Sequence, residues 1–500
     1  MDVKDKVART GVPGLDDILQ GGLTPGHLFL LEGEPGSGKT TIALQFLLEG
    51  AAQGERCVYV TLSETEQELR AGAASHGWTL GKNISVFELP PSENILSGED
   101  QQSLLYPSDL ELGETTRKIF DTIEKVKPHR VVLDSLSEIR LLAQNSLRYR
   151  RQILAIKHYF SRHSATVLML DDMTSEAGDK TVHSVAHGVI RLEQLTPEYG
   201  AERRRLRIQK YRGQRYRGGF HDLTIGTGGV NVFPRLVAGE HYSAVKRFNI
   251  ATRIAGFDSL LGGGIESGSS TLILGPSGTG KTLVAISFAM DAIARGEKAA
   301  MFVFDEELSL LFERMKGLGI ELEKLRDQGL LVIKQVDAAE MSPGEFAHTV
   351  RVMVDRDKIK TVLIDSLNGY QASMPHENAL VLHMHELLQY LNRQGAATFM
   401  TISQHGLVGD MQSPVDITYI ADTVILLRYF EAIGEVRRAV SVVKKRAGKH
   451  ENTIREFWIN SNGLSIGAPL TDFHGVLRGV PNYVGSASGL GGTATGKNAR

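Results

Sequence analysis

The feature that most constrains this chain is an internal repeat of domain size. Laying Gly14 and Asp16 on Gly256 and Asp258 brings Gly33, Gly38, Lys39 and Thr40 onto Gly275, Gly280, Lys281 and Thr282. The same register carries Gly54-Glu55 onto Gly296-Glu297 and Glu64 onto Glu306 without a gap. Further along the register shortens. Asp134-Ser135-Leu136 meets Asp365-Ser366-Leu367, Lys210 and Arg212 meet Lys444 and Arg446, and Gly229 meets Gly463. A period this long is a duplicated domain rather than a solenoid unit. The copies are predicted at residues 1–240 and 241–484, with longer loops in the middle of the first. A Gly/Ala/Ser/Thr-rich tail is expected at 485–500.

Within each copy, short apolar runs alternate with helical patterns. In the first copy these runs are residues 27–32, 57–62, 130–133 and 166–170; in the second, 270–274, 300–304, 361–364 and 398–402. Continuous Val/Leu-rich runs of this length read as strands buried on both faces, so each copy is predicted as an α/β domain with a mostly parallel sheet flanked by helices. A chain of 500 residues is too long for one core, and a hydrophobic content of 42% is ordinary for a folded one. The net charge of -2 gives no bulk signal for a nucleic-acid or membrane partner. The single cysteine, Cys57, excludes an internal disulfide framework and reads as a buried thiol. With a charged N-terminus and no apolar run long enough to span a bilayer, the expected location is cytoplasmic.

Two motifs carry the chemistry. Gly33–Thr40 (GEPGSGKT) and Gly275–Thr282 (GPSGTGKT) both fit GxxxxGK[ST], each between an apolar run and a helical pattern. Glycines turn such a loop so that backbone N–H groups face phosphate oxygens, and the following helix adds its positive end. Lys39 and Lys281 are placed to reach the β- and γ-phosphates of ATP, and Thr40 and Thr282 to ligate Mg²⁺. The predicted nucleotide contacts are therefore Gly36, Ser37, Gly38, Lys39, Thr40 and Thr41, and Gly278, Thr279, Gly280, Lys281, Thr282 and Leu283. Asp134 and Asp365 end apolar runs as Walker B aspartates do, and together with Asp305 complete the candidate metal ligands.

An acidic pair follows the second apolar run of each copy, Ser63-Glu64 in the first and Asp305-Glu306 in the second. A carboxylate near the γ-phosphate can orient and deprotonate an attacking water or hydroxyl, and the repeat matches Glu64 with Glu306. Near each copy's end lie Lys210-Tyr211-Arg212 and Lys444-Lys445-Arg446. Three readings stand for these cations: completion of a neighbouring subunit's ATP site, a solvated strand end, or a nucleic-acid patch within the basic stretch 203–217.

On these residues the chain resembles the KaiC family of double-domain RecA-like ATPases over about residues 8 to 480. The specific carriers are Gly11-Val12-Pro13-Gly14-Leu15-Asp16, both P-loops, Val60-Thr61-Leu62-Ser63-Glu64-Thr65, Lys210-Tyr211-Arg212-Gly213 and Ile454-Arg455-Glu456-Phe457. The resemblance implies a homohexamer of two stacked rings with ATP between protomers, slow hydrolysis in the first ring and a serine/threonine autokinase in the second. It implies a nucleotide contact at Ser75 and trans-acting cations at Lys210, Arg212, Lys444 and Arg446. It also implies regulatory partners of the KaiB-like kind. The family's paired glutamates fall on Ser63-Glu64 and Asp305-Glu306, so each pair has lost one glutamate. Its adjacent Ser/Thr phosphorylation pair falls on Thr418-Tyr419, where a phenol replaces a hydroxyl. These two residues can also simply pack at a subunit interface. Residues 472–479 resemble the loop before the family's regulatory tail.

The leading expectation is a KaiC-like MgATPase and autokinase acting as a signalling or timing hexamer. The alternatives are a RecA-, RadA- or DnaB-like DNA motor, and a scaffold that assembles on ATP but barely hydrolyses it. Near-neutral charge and the duplicated ATPase motifs make nucleic acid the less favoured partner.

Overall fold

The computed structural model describes residues 7–89, 107–173, 181–197, 199–242, 244–374, 377–404, 406, 417–461, 463–478 and 481–484. The predicted tail at 485–500, part of the middle of the first copy and the end of the segment 472–479 lie outside the described residues. The chain divides into two compact units, 1–235 and 236–500.

In the first unit nine strands form one sheet. They are β1 (Leu28–Glu32), β2 (Cys57–Thr61), β3 (Ile84–Glu88), β4 (Arg130–Asp134), β5 (Thr166–Asp171), β6 (Gly188–Leu195), β7 (Arg203–Tyr211), β8 (His221–Gly226) and β9 (Gly229–Phe233). Their order is β3-β2-β4-β5-β1-β6-β7-β8-β9. Strands β3 to β6 in that row run parallel, and β7, β8 and β9 extend the sheet antiparallel. The predicted apolar runs are the buried central strands, and strand alternation sorts them onto two cores. Phe29, Leu31, Cys57 and Tyr59 join one cluster, while Leu28, Leu30, Val58 and Val60 join the other.

The second unit opens with the short pair β10 (Asn249–Ile250) and β11 (Ile265–Glu266). Its main strands are β12 (Ser270–Gly275), β13 (Lys298–Val303), β14 (Leu331–Gln335), β15 (Ile359–Asp365), β16 (Ala397–Ser403), β17 (Thr423–Ala432), β18 (Glu435–Lys445), β19 (Arg455–Asn460) and β20 (Gly463–Pro469). Their order, β14-β13-β15-β16-β12-β17-β18-β19-β20, repeats that of the first unit strand for strand. Each unit is thus a mostly parallel α/β sheet flanked by helices, as expected for tandem RecA-like domains. Leu236 and Ala238 belong to the second unit's core, where Arg393 donates to the Ala238 carbonyl at 2.5 Å. Among the described residues no helix is long and apolar enough to cross a membrane.

Arg130 is the largest of the polar side chains buried in the first unit. Arg130, at the start of β4, is 1% exposed and pairs with Glu55 at 2.5 Å. Its guanidinium donates to the carbonyls of Phe46 (2.8 Å) and Arg9, and lies 4.8 Å from the Phe46 ring centroid. A buried charge held this way ties the P-loop helix Lys39–Ala52 and the N-terminal segment to the sheet. The second unit places Thr361 at this position. Arg130→Ala is expected to destabilise the chain by about 3 kcal/mol, because it leaves both a cavity and unpaired acceptors. A fall in the urea midpoint of the first unfolding transition measures it; an unchanged midpoint contradicts it.

Candidate functional site

Both P-loops lie where the central strand runs out and the next helix begins, at the carboxyl edge of the parallel strands where doubly wound sheets bind ligands. Gly38 and Gly280 start the two P-loop helices with φ of 101°. A Cβ there would approach Ile225 or Ile459 to 2.7 Å, so the GK step requires glycine for both conformation and space. Lys39 and Lys281 are only 6% and 7% exposed. Ser37 is fully buried and its hydroxyl has no partner, an orphan of the kind that a bound phosphate oxygen satisfies. Thr279 instead donates to the Pro276 carbonyl at 2.8 Å. Gly36 and Gly278 adopt φ of 80° and 77° at the tips of the loops, and Leu283 is buried beneath the second.

The lysines differ in their partners. Lys39 donates to the carbonyls of Gly33 (2.8 Å) and Glu34 (3.0 Å) and pairs with Asp172 at 2.9 Å. Lys281 donates to the Pro276 carbonyl at 2.8 Å, and burial pulls its pKa down to about 8, with Asp365 opposing.

The two strand-end aspartates, Asp134 and Asp365, differ as well. Asp365 accepts from Thr282 at 2.8 Å and from Thr401. Thr282 and Asp365 therefore already stand side by side, as the threonine and aspartate of a P-loop magnesium site must. Asp134 accepts from the Tyr59 phenol at 2.5 Å, and Tyr59 also faces Thr40. Burial raises the pKa of both aspartates, and the hydrogen bonds oppose it. Tyr59 occupies a position that is Met301 in the second unit, and Thr401 one that is Leu170 in the first. Among the described residues no group of three or more His, Cys, Asp or Glu could hold a metal by itself. A threonine and an aspartate beside a phosphate cradle fit Mg²⁺, which usually takes few protein ligands and completes its shell with water and phosphate.

The acidic pairs also diverge. Glu64 follows β2 in a tight turn where Thr61 accepts its N–H at 2.9 Å. Partial loss of hydration raises the Glu64 pKa, and the charges of Asp134, Glu68 and Asp172 add to the rise. Glu306 is gripped by Arg314, with contacts of 2.5 and 3.2 Å. Asp305 accepts from the Ser366 hydroxyl, directly after the Walker B strand. The repeat places Gly72 opposite Arg314, so Glu64 lacks that counterpart.

The C-terminal cations lie at the other end of the sheet. Lys210 pairs with Val189 near the start of β6, whose first residue Gly188 pairs with Phe29 near the start of β1. The P-loop follows the far end of β1. At roughly 3.3 Å per residue, one strand length of about 15 Å separates Lys210 and Arg212 from their own chain's phosphate site. Lys210 donates to the carbonyls of His183 and Ala186, and Arg212 to that of Ser184. Likewise Lys444 donates to the carbonyls of Thr418 (2.9 Å) and Ala421 (2.7 Å), and Arg446 to that of Tyr419 (2.6 Å). Burial lowers the pKa of Lys210 and Lys444.

The middle residue of each triplet is turned inward. Tyr211 is hydrogen-bonded to Thr24 at 2.8 Å and packs on Phe29, and Lys445 donates to the carbonyls of Leu261 and Gly264. Ser75 is exposed and donates to Gly72 within its own helix, while Thr41 lies 3.5 Å from His76. Thr418 is half-buried and Tyr419 is 57% exposed. Sequence reasoning missed Tyr59, Asp172, Arg314 and Thr401. Each is an ordinary residue in a strand, strand end or helix, and only the strand register brings it to the site.

The KaiC ATPase family model matches residues 8–237 and 250–471. Over 490 residues the chain is 29% identical to the circadian clock protein KaiC3 of Synechocystis, spanning 95% of this chain and 94% of that protein. It is 30% identical over 486 residues to the circadian clock oscillator protein KaiC of Parasynechococcus marenigrum, spanning 95% and 93%. It is 28% identical over 491 residues to the protein of that name from Synechococcus elongatus, spanning 95% and 92%. Both P-loop domains fall within the matched ranges, so nucleotide binding and ATPase chemistry are what the two sites have in common with this family. The chain belongs to the KaiC family of ATPases.

Proposed function

We propose that this chain is a MgATP hydrolase that works as a ring, with its sites completed between copies rather than within a lone subunit, with hydrolysis centred on the first domain and phosphoryl transfer in the second. The observation that carries this reading is the strand length between each P-loop and its own chain's Lys210-Arg212 or Lys444-Arg446 pair. Those cations reach a triphosphate only when another copy presents its P-loop to them. The assembly in this reading is a hexamer of two stacked rings with KaiB-like regulators as partners, and the circadian clock names of the relatives support timing or signalling as its output.

Thr40 with Asp134, and Thr282 with Asp365, would hold the magnesium ion that screens phosphate charge. In the first site Glu64 takes a proton from water as the water oxygen bonds the γ-phosphorus. The bond from that phosphorus to the β–γ bridging oxygen breaks, releasing ADP and phosphate. In the second site the Thr418 hydroxyl oxygen of a neighbouring copy bonds the γ-phosphorus as Asp305 or Glu306 takes its proton, and the bond from that phosphorus to the β–γ bridging oxygen breaks, so ADP leaves and Thr418 carries the phosphate. Ser75 and Thr41 are the proposed contacts towards the nucleoside end of the first site. Thr418 and Tyr419 lie beside Lys444 and Arg446, so they reach a phosphate wherever those cations do.

The DNA-motor reading loses support because its basic stretch is largely spoken for. Arg204 donates to the Gly36 carbonyl, Arg205 pairs with Glu193 at 2.8 Å and Arg217 pairs with Asp17 at 2.8 Å.

Glu64→Gln is expected to lower phosphate release about 10²-fold, as loss of a general base does. Glu306→Gln should cost less, since Arg314 already holds that carboxylate. Light scattering should show both variants still assembling. If neither substitution changes release, the assignment of the base is wrong. Because the Glu64 pKa is raised, its carboxylate is protonated at a higher pH than an ordinary glutamate. Turnover should therefore fall, as pH drops, earlier than a normal carboxylate would dictate, and a flat profile across that range contradicts the role. With γ-labelled ATP, mass spectrometry should find label on Thr418 that disappears in Lys281→Ala. Free phosphate without protein label would leave an ATPase whose output is conformational.

A further inference from the structure

Among the described residues, the contact between Asp172 and Lys39 has no counterpart in the second unit. Asp172 follows the last residue of β5, and the register of β5 on β1 brings it level with the start of the P-loop. Two neighbours fix its direction. Asp171 pairs with Arg140 at 2.6 Å and accepts the Met173 N–H at 3.1 Å. Met173 takes the left-handed backbone, φ 55°, so the chain turns tightly around Asp172. With Asp171 tied to Arg140, alternation sends Asp172 the other way, onto the P-loop ammonium at 2.9 Å. Two carbonyls and this carboxylate then surround the Lys39 amine.

The matching position in the second unit is Ser403, whose N–H and carbonyl are both bonded to the Asn368 side chain. Lys281 therefore has no carboxylate at this place, and its pKa is pulled down to about 8 by burial. Asp172 also acts on the rest of the first site. Its charge is among those that raise the pKa of both Glu64 and Asp134, so three carboxylates share one field where a γ-phosphate would bring further negative charge.

We infer that Asp172 stands in for the γ-phosphate on Lys39, so that the first site favours the diphosphate over the triphosphate while the second site does not. This rests on the reading of both P-loops as ATP sites. A triphosphate must take Lys39 from Asp172 and settle beside a carboxylate that repels it. A diphosphate leaves the γ position empty and lets the pair persist. The first site thereby holds product and exchanges it reluctantly, which makes turnover there slow by construction.

The test uses the full chain carrying Lys281→Ala, so that binding reports the first site. Affinities for MgADP and for the magnesium complex of the non-hydrolysable analogue AMP-PNP are measured by calorimetry with Asp172 intact, with Asp172→Asn and with Asp172→Ser. The serine is the residue that the second unit carries here. Both substitutions should tighten AMP-PNP about fivefold, the scale of a partly screened charge pair, and change ADP less than about twofold. Equal shifts for the two nucleotides, no shift, or weaker AMP-PNP binding would overturn the assignment. A Lys281→Ala parent that binds neither nucleotide would contradict the ATP-site reading itself and take this inference with it. An intact-parent result with no gain on substitution would sink the inference alone.

Discussion

A parallel strand delivers its loops to one end, and the consequences of β1 and β12 depend on that directionality. Each central strand feeds its P-loop at the carboxyl edge, next to the Walker B aspartate of β4 or β15. The antiparallel strands β7 and β18 return towards the opposite edge and leave Lys210-Arg212 and Lys444-Arg446 there. The phosphate cradle and the cations that would neutralise it are thus kept apart by the sheet. Association is the way such a fold can bring them together, because nothing in a rigid sheet shortens a strand.

Within one repeated frame, the two sites have been given different electrostatics. Tyr59 holds Asp134 in the first, whereas Thr401 and Thr282 hold Asp365 in the second. Asp172 neutralises Lys39, whereas Ser403 stands at that place in the second and, among the described residues, Lys281 has no such partner. Arg314 restrains Glu306, whereas Gly72 leaves Glu64 without that restraint. The first site concentrates carboxylates, which raises their proton affinity and suits a base for water. The second pairs its acids with hydroxyls and a guanidinium, which lowers the repulsion that a triphosphate meets there.

Much of this frame was legible in the sequence. The apolar runs predicted as strands are the central strands, because strands buried on both faces must be apolar throughout. The P-loops were legible because phosphate binding by backbone N–H groups demands glycine at fixed spacing. The antiparallel extensions were less so: half-exposed strands such as β7, with its run of arginines, lack that signal. Among the triplets, the resemblance pointed to Lys210 and Arg212, but spacing alone gave no reason to set Tyr211 apart from them. Strand alternation turns the middle residue inward, onto Thr24 and Phe29. Tyr59, Asp172, Arg314 and Thr401 escaped because their role depends on cross-strand register and helix phase, and no local pattern encodes either.

The most direct test of sites completed between copies is complementation. Glu64→Gln retains its cations and loses its base, whereas Arg212→Ala retains its base and loses a cation. Each would be mixed with the other as dissociated chains, then assembled with ATP and assayed for phosphate release. Random assembly pairs an intact P-loop face with an intact cation face at about a quarter of the interfaces. The account predicts that the mixture recovers turnover well above either variant alone. A mixture that exchanges subunits and gains nothing would show that each copy completes its own site, and would contradict it.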